Sequence, residues 1–224
     1  MVYQLIAPDD LAAIEAVDRI ESDHPSREQL ELHHEEFGID ARLAVAPKPI
    51  KSNCSRDFYP ALRSSGRRPL SEIWWVVEHA QESLTALSAA SWFRNPDAKG
   101  SAHLCVDGAI CYRTLPNDAI PWGAPGANYH GFHIEQAGYT RWSRTDWASR
   151  ELELQRSAFK TAWHLHLFGL PPIFRMAADL ERGRKGVTTH LECTRAFGGD
   201  HTDPGSGWPR DRFMGLVKTF YAKL

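Results

Sequence analysis

Five consecutive residues, Ile73-Trp74-Trp75-Val76-Val77, constrain the fold of this chain more than any others. An unbroken apolar run of β-branched and aromatic residues offers no polar face to water, so it reads as a strand buried on both faces. Such a strand requires other strands beside it and helices packed over the sheet. Further strands are expected at Ser101 to Val106, Ala109 to Arg113, Phe132 to Glu135 and Val187 to Thr189, with Asp107-Gly108 as a two-residue hairpin turn. Helices are expected from Glu82 to Phe93, with Leu84, Leu87 and Trp92 as its apolar residues, and from Trp147 to Phe168, where Leu154, Ala158, Ala162, Leu165 and Phe168 keep helical spacing. His164 shares the other face of that long helix with Glu153 and Lys160 and reads as solvated. A closing helix runs from Asp211 to Tyr221. The expected fold is therefore α/β, a mixed central β-sheet flanked by helices.

The remaining segments read differently. Residues 1–45 are acidic and helical in pattern, with Asp9-Asp10 before Leu11, Ile14, Val17 and Ile20, and a second helix from Ser26 to Phe37 stopped by Gly38. His33-His34 and Glu35-Glu36 fit a solvated helix face better than a ligand set. Residues 46–70 carry Pro47, Pro49, Pro60, Gly66 and Pro69 and read as an extended connector. Its Arg63, Arg67 and Arg68 read as solvated loop charges, with contact to an anionic polymer as the other reading. The expected organisation is a small helical segment over 1–56 and one domain over 57–224. A net charge of −2 argues against nucleic acid. No apolar run reaches the ~18–20 residues of a membrane span, and Met1-Val2-Tyr3-Gln4 lacks the basic start of a signal peptide. A cytoplasmic origin is the expectation, with Cys54, Cys105, Cys111 and Cys193 reduced.

Chemistry concentrates near the C-terminus. Thr189-His190, an apparent loop, and then Asp200-His201-Thr202-Asp203-Pro204-Gly205 set two imidazoles and two carboxylates in glycine-rich chain. Pro204-Gly205 forces a turn after Asp203 and extends the residue before it. Imidazole with carboxylate suits a divalent metal that keeps an open position. Upstream, His79 ends the apolar run, Glu135 ends a short strand, and a Pro/Gly loop over 114–131 contains Trp122 and Asn128.

These residues resemble the type 2 N-acetylmuramoyl-L-alanine amidases, a family of phage endolysins, wall-recycling amidases and peptidoglycan recognition proteins. The resemblance rests on Thr189-His190, His201-Thr202-Asp203-Pro204-Gly205, Trp208-Pro209 and Phe213, and upstream on Trp92-Phe93, Asn95-Pro96 and Ser101-Ala102-His103. It implies His79, His190 and Asp203 as ligands of a Zn²⁺ ion; Cys193, three residues after His190, is the competing third ligand by position and does not match the family. It further implies Glu135 as general base and acid, His201 at the oxyanion, and Trp122, Asn128 and His103 against substrate. Four positions depart from the family pattern. Gln81 stands where a small polar residue is common, Ala102 where some relatives carry a catalytic Tyr, Gly123 where His usually follows the Trp, and His133 where the strand usually has a small residue. Tyr3 to Ile14 and Leu43 to Pro47 resemble, more distantly, a LysM wall-binding module.

The implied activity is cleavage of the amide between N-acetylmuramic acid and L-alanine in peptidoglycan. A phage endolysin fits best: a monomer held in the host cytoplasm, with no membrane insertion of its own, until membrane holes release it to the wall. A cytosolic recycling amidase and a non-catalytic peptidoglycan-binding protein are the alternatives.

Overall fold

The computed structural model describes residues 59–224. The expected helices at 9–20 and 26–37, the His33-His34 pair, the wall-binding reading of 1–56 and the thiol of Cys54 lie outside the described residues.

Five strands form one mixed sheet in the order β3-β2-β4-β1-β5. They are β1 (Trp75–Ala80), β2 (Leu104–Val106), β3 (Cys111–Arg113), β4 (Gly131–Gln136) and β5 (Gly186–Thr189). β1 runs parallel to both β4 and β5, β2 runs parallel to β4, and only β3 is antiparallel to its neighbour. The apolar run does make an interior strand, paired on both sides and shifted by two residues. Trp74 and Trp75 both donate their N–H to His130 O, and pairing begins at Trp75. The strand then continues through Glu78 and His79, and all six of its residues are buried.

Alternation along β1 divides the molecule. Val76 and Ala80 face the main apolar core, which also holds Phe132, Ile134, Trp147, Leu154, Phe213 and Val217. Trp75 and Val77 face a smaller cluster with Ala124, Ala127, Leu180 and Cys193. His79 follows them on that second face.

The helices are α1 (Ala86–Trp92), α2 (Arg144–Ala148), α3 (Glu151–Leu167), α4 (Ala177–Leu180), α5 (His190–Phe197) and α6 (Arg210–Tyr221). Several depart from the sequence reading. α1 starts late because the Thr85 hydroxyl accepts from Ser88 N and caps it, while Glu82 sits at φ 54 outside the helix. α1 buries Ala86, Ala89 and Ala90 rather than the larger residues, and Leu84, Leu87 and Trp92 stay exposed. The long helix is two helices. Ser143 and Asp146 form a capping box for α2, and Arg150, at ψ 42, leaves the helical region before α3 begins. The solvated reading of His164 is wrong: Glu153, Lys160 and His164 are all buried, and His164 Nδ1–H donates to Lys160 O at 2.7 Å while its ring stacks on Phe132. The solvated reading also fails for Arg68, whose guanidinium is buried and donates to Ala119 O, Asn128 O and Gly131 O. The hairpin closes one residue later than expected. Asp107 N donates to Ile110 O, so Gly108 and Ala109 form the tip, and the Asp107 carboxylate accepts from Ala109 N and Ile110 N. The described cysteines, Cys105, Cys111 and Cys193, are all buried. None of the described helices is long and apolar enough to cross a membrane.

Candidate metal centre and its groove

Three elements deliver three side chains to one point. β1 carries His79. β5 ends at Thr189, whose hydroxyl accepts from Glu192 N and so starts α5 on His190. The expected loop after His190 is this helix. Its buried face is His190, Glu192 and Cys193, too polar to show as an apolar stripe. α5 stops at Gly198, φ 88, and the chain returns to the site through Asp203. Leu191 N donates to Asp203 O at 2.9 Å, which ties the returning strand of chain to the start of α5. Gly205 N donates to Thr202 O and closes the expected turn. Gly205 has φ 90, and a Cβ there would lie 2.0 Å from Thr140 O, so the turn admits only glycine.

Asp203 is the hub. Its Oδ2 lies 3.1 Å from His79 Nδ1 and its Oδ1 lies 3.1 Å from His190 Nδ1. One ligand atom from each of the three residues falls within 4.8 Å of the others, and all three residues are buried. Zinc bonds of ~2.0–2.2 Å in a tetrahedron set donor atoms roughly 3.3–3.6 Å apart. The two histidine–carboxylate contacts fall slightly inside that range and the 4.8 Å bound on the set lies slightly outside it, so small side-chain adjustments bring the three donors round a zinc-sized ion, and the neutral-nitrogen and carboxylate chemistry suits it. Among the described residues these three form the only such group. Cys193, the competing ligand, is not part of it. Its side chain belongs to the apolar cluster beside Trp75 and Val77, and burial pushes its thiol up to about 12.

The electrostatics match a cation site. Burial alone would raise the Asp203 carboxyl, but hydrogen bonds from His190 and His79 outweigh it and hold the group well below the usual carboxylate range. Burial holds His79 below its ordinary value of 6.5, against the pull of Asp203. Both effects favour neutral imidazole beside charged carboxylate, the form that binds metal.

Glu135 pairs in register with His79 across β4 and β1 and shares the same face of the sheet. Burial, then the charges of Asp203, Glu78 and Glu82, push its carboxyl well above 4.5. Its side chain borders a groove of about 1350 Å³ that also reaches His79, His190, His201 and Asp203. His201 is exposed, stacks on the His190 ring with centroids 4.2 Å apart, and keeps Nδ1 3.6 Å from Asp203 Oδ1. Trp122 is 41% exposed on the groove wall, its indole N–H donating to Ser65 Oγ. Asn128 also borders the groove, but its Oδ1 accepts from Gly123 N and Ala124 N and so pins the 114–131 loop. His103 does not reach the groove. It is fully buried, its Nδ1 accepts from His133 N and its Nε2 faces Ala119 O, so no ring nitrogen is left for a substrate. Sequence reasoning did not assign a role to His133, which touches His79 directly, or to Trp92 and Arg141 at the groove.

The mixed five-stranded sheet with its flanking helices is the type 2 amidase fold. The hydrolase AmiA of Staphylococcus aureus, solved with its ligand, matches with a TM-score of 0.60 at 22% identity, over 83% of this chain and 89% of that one. The catalytic domain of XlyA matches with a TM-score of 0.50 at 19% identity, over 74% of this chain and 99% of that one. AmpD matches with a TM-score of 0.50 at 18% identity, over 70% and 92%. No family model and no curated protein matches the chain.

Proposed function

We propose that this protein is a zinc-dependent peptidoglycan hydrolase that cleaves the amide between N-acetylmuramic acid and L-alanine. One observation carries the reading: His79, His190 and Asp203, distant in sequence, converge with their donor atoms inside 4.8 Å at the floor of an open groove. The fold shared with AmiA, XlyA and AmpD supports it.

Zinc held by those three residues would supply Lewis acidity, polarising the scissile carbonyl and acidifying a water at the open position. The chain's own residues do the rest. Asp203 neutralises charge and keeps both imidazoles aimed inward. Glu135, one strand away, takes the proton of the attacking water and returns it to the leaving alanine nitrogen. Burial and the neighbouring carboxylates raise its proton affinity, which favours taking up that proton. His201, exposed on the far side of Asp203, donates to the oxygen that gains charge as the carbonyl becomes tetrahedral. Trp122 and Trp92 offer apolar faces along the groove to sugar rings. We further propose the biological setting of a phage endolysin acting on the host wall.

Mass analysis of walls digested by the full-length protein tests this. The expected products are glycan with intact muramic acid and peptides with a new L-alanine amino terminus. Glu135→Gln should form them at least about 10²-fold more slowly. New reducing sugar ends, shortened stem peptides, or binding without products would contradict the reading.

A further inference from the structure

His79 has two ring nitrogens, and only one faces Asp203. The other, Nε2, lies 2.9 Å from His133 Nδ1. His133 is fully buried and does not border the groove. Its ring is held edge-on between two glycines. A Cβ at Gly123 would stand 2.3 Å from His133 Nδ1, and one at Gly131 would stand 2.4 Å from His133 Nε2. Its backbone is fixed as well, since His133 N donates to His103 Nδ1 at 3.0 Å. That bond sets the tautomer of His103, which must carry its proton on Nε2 and give it to Ala119 O at 3.2 Å.

The same proton count applies to His79. If Nδ1 is to offer a lone pair beside Asp203, the proton sits on Nε2 and is donated to His133 Nδ1. His133 then carries its own proton on Nε2, a buried atom with no hydrogen-bond partner. An apolar filler on β4 would avoid leaving that donor unpaired. The strand instead keeps an imidazole, and two neighbouring positions have no side chain to disturb it.

We propose that His133 is a positioning residue for the metal centre: it accepts the Nε2 proton of His79, fixing the tautomer and ring plane that turn Nδ1 toward His190 and Asp203. The inference rests on the zinc reading of that site. A ligand histidine whose second nitrogen is anchored in this way gains basicity and loses rotational freedom, and loss of the anchor costs metal affinity.

The test is zinc affinity of the full-length protein, measured by competition with a chromophoric chelator. His133→Ala should weaken zinc binding about 10–100-fold. His133→Asn, which returns an acceptor oxygen near the place of Nδ1, should stay within about threefold of the unaltered protein. Gly123→Ala keeps the imidazole but displaces it, and should weaken binding in the same direction as His133→Ala. Undiminished affinity in His133→Ala overturns the proposal, and so does equal weakening in His133→Ala and His133→Asn, which would make the role one of packing alone. If His133→Ala does not fold, Gly123→Ala decides, and unaltered affinity there overturns it. Failure of the unaltered protein to bind zinc would instead sink the metal centre itself, and this inference with it.

Discussion

Glu78 and His79 are adjacent on β1 and point to opposite faces of the sheet. His79 faces the proposed metal. Glu78 faces α3 and accepts hydrogen bonds from Thr161 and Ser157 on that helix and from Gln136 on β4. Burial pushes its carboxyl from 4.5 up to about 7, against the pull of those three donors. Between these values the folded chain holds a proton that the unfolded chain has released, so stability falls as pH rises through the window. Buried His79, His103, His133 and His164 act in the other direction, because folding lowers their affinity for protons. Comparing Glu78→Gln with the unaltered protein cancels the histidines. Thermal unfolding should show the variant gaining relative stability from pH 5 to pH 7.5, by on the order of 3 kcal/mol at most. A difference independent of pH would contradict the burial argument. Glu78 also shows what a sequence hides: it reads as the end of an apolar run, and only the donors on α3 and β4 make its burial tolerable.

At the scale of elements, legibility followed locality. The Asp203-Pro204-Gly205 turn was readable because its chemistry lies in consecutive residues. β1 was readable because five apolar residues in a row admit few alternatives. α5 was not, since its buried face is His190, Glu192 and Cys193, and the partners that satisfy those residues come from Asp203, Ala177 and Arg195. α1 misled for a related reason. It packs through alanines against Ala102 and Cys105, while Leu87 and Trp92 face water. The return segment after α5 makes its own prediction. Gly205→Ala forces a side chain into Thr140 O at a strained φ, so it should destabilise the fold by about 2 kcal/mol or more and move Asp203 from its partners. Denaturant unfolding and zinc affinity should both fall. Unchanged values in both would show that the turn does not position the carboxylate.

Across the whole molecule, the candidate centre joins residues that no spacing rule connects. His79 and His190 are adjacent only because β1 pairs in parallel with β5, bringing Glu78 level with Thr189. Nothing in the local sequence singles out His79 among the 11 histidines of the chain; resemblance to the amidases did so, and the parallel register supplies the physical reason. Glu135 was reached in the same way, through the resemblance, and its register with His79 supplies the physical reason. The measurement that bears most directly on the account is elemental analysis of the full-length protein alongside Asp203→Asn, after dialysis against metal-free buffer. About one zinc per chain in the unaltered protein, and close to none in the folded variant, is the predicted result. No zinc in the unaltered protein, or equal zinc in both, would contradict it.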